Sequence, residues 1–259
     1  MDPFTIRVIL SFIIGGLYAA TLIWVSEKYG SKVGGILTGI PTTVFIGLTF
    51  IALTAGDAAA HKAALIIPAM VGVSLVLVYS FTQLIKLGVE IALAIAIGIW
   101  AVVALIFVNS SLSNLAINIA IGIGLLSLAK IAMNKYPHNL VGSSQVLRRT
   151  YLVRVIAAGT VISGAVVIAK FAGPIWGGVF AAFPATFVST LYMLSKAQGS
   201  DFAKAVARQL PLANGSTLSF AVIFYLLIIP AGLLLSVSAA IVGSLLYALI
   251  LLRLNTRKT

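Results

Sequence analysis

Cysteine is absent from the 259-residue chain, and with it any disulfide framework, thiolate nucleophile or cysteine-based metal site. The redox compartment therefore leaves no mark on this sequence. Acidic side chains number only five, and none falls in the middle of an apolar run. Asp57, Glu27 and Asp201 sit in polar segments, Glu90 opens an apolar run, and Asp2 stands among the first residues. A proton relay on a buried carboxylate is poorly served by this set, and so is a divalent-cation site, which wants hard anionic oxygens. The two histidines, His61 and His138, also lie between apolar runs. There is no HExxH, Walker loop, GxSxG or carboxylate pair within one run. Without a positioned acid, base or nucleophile the chain does not read as an enzyme, and nothing in it calls for a cofactor or metal.

What is present is apolar. Hydrophobic residues make up 61% of the chain and charged residues 8%, and runs long enough to cross a hydrocarbon core of roughly 30 Å recur along it. This composition predicts a polytopic integral membrane protein of the all-α class. A net charge of +12 would suggest nucleic acid in a water-soluble chain, but here the basic residues lie between apolar runs, where they set topology, so no nucleic-acid partner is expected. Residues 1–5, MDPFT, read as a vector remnant, and no cleavable signal peptide with a small-residue site follows them.

Nine spans are predicted: Ile6 to Trp24, Val33 to Leu53, Ala63 to Leu84, Ile91 to Val108, Leu112 to Met133, Tyr151 to Phe171, Trp176 to Ser195, Leu210 to Ile229 and Leu233 to Leu252. Between the first two lies a short polar turn, Tyr29 to Lys32, and Lys135 to Thr150 forms the one extended loop. Nine spans put Arg7, Lys62 and Lys170 on the side of the N-terminus and every other lysine and arginine opposite. By the positive-inside rule the N-terminus is then outside and the C-terminus cytoplasmic, in an inner or plasma membrane.

The chain also repeats. Gly30 to Leu48, GSKVGGILTGIPTTVFIGL, returns as Gly173 to Leu191, GPIWGGVFAAFPATFVSTL, 143 positions later. The offset pairs Gly34 and Gly35 with Gly177 and Gly178, Pro41 with Pro184 and Thr43 with Thr186. Further along it pairs Gly16 with Gly159, Gly56 with Gly199, Pro68 with Pro211 and Gly72 with Gly215. Matches concentrated on glycine and proline, which fix backbone geometry, point to an internal duplication. The expected organisation is a four-helix repeat over 6–108, a linking helix and basic loop over 109–150, and a second repeat over 151–254. Equivalent points lie five spans apart, an odd number, so the second repeat is inverted. Inverted repeats with interrupted helices in matching places point to a secondary transporter with its site near the midplane.

Proline inside a helix has no amide hydrogen for the carbonyl four residues earlier, so Pro41 is expected to free the Leu37 carbonyl and Pro184 that of Phe180. Freed carbonyls in lipid need partners, and hydroxyls stand beside both prolines: Thr42 and Thr43 in one half, Thr186, Ser189 and Thr190 in the other. These residues, with Asn214 from the polar span eight, form the candidate solute site. The bland alternative is two kinked, tightly packed helices with no ligand. Asp57 and His61, spaced i, i+4, suit a metal or proton pair, or an N-cap aspartate followed by a solvated histidine. Arg208 and Gln209, with Asn214, Ser216, Thr217 and Ser219, either line a pathway with Arg208 drawing an anion to its mouth or combine an interfacial anchor with interhelical hydrogen bonds.

At GGVFAAFPATFVSTL, and less closely at GGILTGIPTTVFIGL, the chain resembles the GlpM-like small integral membrane proteins, whose four-span unit has a similar glycine, then Phe-Pro-Thr-Phe, broken second helix. The likeness covers about fifteen residues in each half. It departs at Ala185, which separates Pro184 from Thr186, and at Ile40, which replaces the phenylalanine. It implies two such units fused through an added helix that inverts the second. It brings no substrate with it. The residues themselves favour a secondary or facilitative transporter of a small polar solute or monovalent ion. A channel, or a non-transporting scaffold whose basic face meets lipid or a partner, remain as alternatives. The partners expected are the lipid bilayer and the solute, with a homo-oligomer left open.

Overall fold

The structure, a computed structural model, describes residues 2–37, 41–110, 113–137 and 148–256, and the side chains of 22–37, 148–151, 153–154 and 255–256 also lie outside the description. Among the described residues there are helices and connecting turns and no strand. In chain order the helices are α1 Pro3–Leu37, α2 Thr42–Ala55, α3 Asp57–Leu84, α4 Val89–Asn109, α5 Leu115–Met133, α6 Arg148–Phe171, α7 Pro174–Ala181, α8 Ala185–Gln198, α9 Ser200–Ala207 and α10 Leu210–Thr256. Six stretches are long and apolar enough to cross a membrane, and the shorter apolar helices Thr42–Ala55 and Val155–Phe171 add two more. These are the helices of a membrane-embedded protein.

The polar turn expected at Tyr29 to Lys32 is helical. α1 runs unbroken through it for 35 residues, about 52 Å at 1.5 Å per residue, and the interruption falls instead just before α2. Polar side chains do not stop a helix, because none of these residues lacks an amide hydrogen, and Gly30 alone costs about 1 kcal/mol relative to alanine. Its counterpart Gly173 does end a helix, with φ 99°, and α7 starts just after it. The stretch read as a polar loop around Asp57 to Lys62 is the first turn and a half of α3. α10 holds two helices that meet at Gly232 (φ 73°, ψ 175°), which agrees with the boundary expected between spans eight and nine. Residues 3–5 are helical, and Phe4 stacks edge to face on Phe171 at 5.8 Å beneath the Lys170 ammonium.

α3 is the centre of the bundle. In its most apolar window 78% of residues are buried, against 22% for α4 and 11% for α5, whose Ile, Leu and Val side chains face outward. α5, α10, α4 and α7 all lie against it, and α1 lies along α6. Lipid tails are as apolar as leucine, so contact between these helices rests on close approach through small residues. Gly178 meets the Ala63 carbonyl, and Gly122 meets that of Pro68, closer than any Cβ could stand.

Candidate functional site

Pro41 and Pro184 each stand one residue before a helix. Pro41 (φ −76°, ψ 76°) opens α2 and Pro184 (φ −81°, ψ 54°) opens α8. Both helices are 14 residues long, and both end on a glycine of nearly the same backbone, Gly56 at φ 86°, ψ 166° and Gly199 at φ 86°, ψ 172°. That region is open to glycine almost alone, which is why a glycine marks this corner in each half. The next helix then begins at once, at Asp57 and at Ser200.

Both prolines therefore stand at helix starts, and at Pro184 this corrects the expectation of a freed carbonyl. The Phe180 carbonyl accepts the Phe183 N–H at 3.0 Å, and the Phe183 carbonyl accepts that of Ala185 at 2.8 Å, so a tight turn uses the groups that an interior proline would have orphaned. Leu37 is the last residue of α1; its side chain and residues 38–40 lie outside the description. What a proline at this place does leave open is the helix start. The first amides of a helix have no acceptor within it, and proline offers no side-chain oxygen to cap them.

Around these starts Pro41 and Pro184 are buried, Thr42, Thr43, Thr190 and Phe180 are half-buried, and Thr186 is exposed. Ser189 is buried, and its hydroxyl donates to the Thr186 carbonyl at 3.1 Å within α8. α2 lies against the end of α7: a Cβ on Gly47 would stand 3.0 Å from that of Ala181. Asn214 sits elsewhere, within the bundle. Its Nδ2 donates to the Val71 carbonyl at 3.2 Å and to Ser74 Oγ at 2.9 Å, so it ties α10 to α3. Ser216 and Ser219 bond back to their own helix, to the carbonyls of Ala213 and Gly215.

Two sets of contacts follow the 143-residue offset. Gly16 of α1 faces Val155 of α6, and Gly159 of α6 faces Phe12 of α1; an added Cβ would come within 2.9 Å and 2.8 Å of the opposing carbonyl oxygens. Gly159 is the counterpart of Gly16 and Val155 that of Phe12, so exchanging equivalent residues turns one contact into the other. Val71 and Asn214, which bond to each other, are themselves equivalent positions. In both places the numbering rises along one helix as it falls along the other, so the helices run antiparallel. His61 against Tyr225 continues that register between α3 and α10.

The ionisable candidates are engaged with the fold. Arg208 donates to the Tyr136 carbonyl and, at 2.6 Å, to Asn134 Oδ1, fastening the α9–α10 junction to the end of α5. The Tyr136 hydroxyl in turn meets Thr82 at 2.7 Å. Asp57 is not an N-cap; Gly56 holds that place and Asp57 follows in the first turn. His61 is half-buried: it stacks on Tyr225 at 3.9 Å with Nδ1 3.0 Å from the Tyr225 carbonyl. Glu90 reaches Lys196 at 2.6 Å, joining α4 to the end of α8.

One residue beside the second break escaped the sequence reading. Trp100 of α4 is 5% exposed and meets Phe183, the residue before Pro184, edge to face at 4.9 Å. Its indole N–H is buried and, among the described residues, has no hydrogen-bond partner. The available signal was its place: tryptophan favours the two membrane interfaces, and this one stands in mid-helix. No family model matches the chain, and neither curated proteins nor solved structures provide a match.

Proposed function

We propose that the chain is a nine-span, inverted-repeat membrane transporter, secondary or facilitative, that moves a small polar solute or monovalent ion across a cell membrane. The reading is that two four-helix units, each of the GlpM-like kind, are joined by α5 and related by a two-fold axis in the membrane plane. The N-terminus is outside and the C-terminus cytoplasmic, as the basic residues favour. The observation that carries the proposal is the reciprocal, antiparallel contact of Gly16 with Val155 and of Gly159 with Phe12. A two-fold axis makes residue i of one unit meet j of the other and j meet i, and antiparallel equivalents put that axis across the helices. The uncapped starts of α2 and α8 then take the part of broken-helix ends that face a solute, with Thr42, Thr43, Thr186 and Thr190 beside them. Rocking of one unit against the other gives alternating access.

The test is solute flux into vesicles holding the purified full chain, with Thr43→Val and Thr186→Val combined. Valine keeps the shape and removes the hydroxyls, so flux should fall while thermal stability stays nearly unchanged. Saturation with solute concentration separates a carrier from a channel. The scaffold reading has one observation in its favour, that the Phe180 carbonyl and Ser189 hydroxyl are already bonded within their own segment. A chain that carries no solute, and gains no thermal stability from any, overturns transport. A ligand at a hundred times its dissociation constant should add about 2.7 kcal/mol.

A further inference from the structure

We infer that the break between α7 and α8 binds a monovalent anion, inorganic or carboxylate, and that the Trp100 indole N–H is one of its ligands. The inference deepens the transport reading and rests on it for the site's use, but not for its existence. Trp100 lies one residue past the middle of the 21-residue α4, and Pro184 two residues before the middle of the 25-residue apolar stretch Pro174–Gln198. Both therefore stand at mid-depth of their spans, where no bulk water can accept an indole N–H. A buried indole normally finds a partner, and leaving it without one costs roughly 1–3 kcal/mol. Small residues flank it on the buried face of α4, Ala96 and Ala104 one turn away on either side, and neither side chain offers an acceptor.

Several donors stand at the break. Trp100 brings a donor with no acceptor capacity. The start of α8 brings the amides of Thr186 and Phe187, uncapped behind Pro184, and the positive end of a 14-residue helix, equivalent to about half a unit charge. The Phe180 and Phe183 carbonyls, which would serve a cation, are already accepting, and the Ser189 hydroxyl is committed to the Thr186 carbonyl. No acidic residue lies in α7 or α8. Donors with a positive helix end and without a carboxylate suit an acceptor-rich anion and disfavour a cation.

The probes are sodium formate, sodium nitrate and sodium chloride, each also as its potassium salt, with glycerol as the comparison. At least one of the three anions should raise the unfolding temperature of the purified full chain saturably and alike with either cation, and glycerol should not. Trp100→Phe keeps an aromatic ring against Phe183 and removes the N–H together with part of the indole. It should weaken the anion's apparent affinity about tenfold, the loss of one hydrogen bond to a charged group. Trp24→Phe with Trp176→Phe leaves Trp100 as the sole indole, so the site is also read without altering it: its emission should change saturably with the same anion. Unchanged affinity in Trp100→Phe, a silent Trp100 emission, or stabilisation by potassium or glycerol in place of the anions would each overturn the inference. Anion binding without flux would retain the site and remove the transport reading. Flux of a solute indifferent to Trp100 would do the reverse.

Discussion

Gly16 and Gly159 give the sharpest test of how α1 and α6 meet. A methyl on Gly16 would come within 2.8 Å of Val155 Cγ1 and 2.9 Å of its carbonyl oxygen; one on Gly159 would come within 2.8 Å of the Phe12 carbonyl oxygen and 3.0 Å of its ring. Neither carbonyl can turn aside within a helix, so α1 and α6 must separate by about half an ångström for either methyl to fit, a strain typical of overpacked contacts at about 1–3 kcal/mol. Gly16→Ala and Gly159→Ala should therefore destabilise by similar amounts, about 2–4 °C in unfolding temperature per kcal/mol for a chain of this size. Gly164→Ala on α6 is the control. Nothing stands within 4 Å of its added Cβ, and the better helix former should be neutral or stabilising. In the double variant the helices separate once for both methyls, so the losses should fall short of additive by about 0.5–3 kcal/mol. The assay is thermal unfolding of the purified chain in detergent, followed by far-ultraviolet circular dichroism. Additive losses, or a single variant no worse than the control, would refute reciprocal contact between these helices.

Asn214→Leu should cost about 0.6–2 kcal/mol, because Ser74 Oγ and the Val71 carbonyl lose a shared donor, and Ser74→Ala in that background should then be close to neutral; a full additional loss would show the two acting separately. Gly56→Ala and Gly199→Ala should each cost about 1–3 kcal/mol despite open space around both, because the strain lies in the φ of 86° and not in contacts, and equal stability by thermal unfolding would contradict the corner geometry. Glu90→Gln should move stability by less than about 1 kcal/mol, since the Glu90 and Lys196 side chains are 59% and 51% exposed and water screens them, so a larger fall in unfolding temperature would mean the pair is sheltered by its surroundings.

Much of the architecture was legible because a few residue types admit few backbones. The apolar runs give helices of membrane length, and no other element was required. Gly56 and Gly199 mark equivalent corners because their backbone admits little else, and Gly232 separates the last two helices as the spacing of apolar runs predicts. Where legibility failed, polarity had been taken for a turn. Glu27, Lys28 and Lys32 interrupt hydropathy without interrupting a hydrogen-bond ladder, so α1 continues through them. The same substitution of polarity for geometry misplaced the start of α3, whose first turn and a half carries Asp57 and His61.

The candidate site was legible as a place and not as a set of bonds. Proline announces a missing rung in the helix ladder, but the sequence does not say whether the helix bends there, as α3 passes Pro68, or begins anew, and the two outcomes expose different groups. A bend frees a carbonyl of the preceding turn; a new start frees amides of the following one. At Pro184 the tight turn from Phe180 to Ala185 engages the Phe180 and Phe183 carbonyls, and the amides that follow belong to a helix start. Trp100 went unread for a related reason. As a hydrophobic letter in α4 it is indistinguishable from its neighbours, and only the placement of Phe183 beside it shows that it stands next to the break.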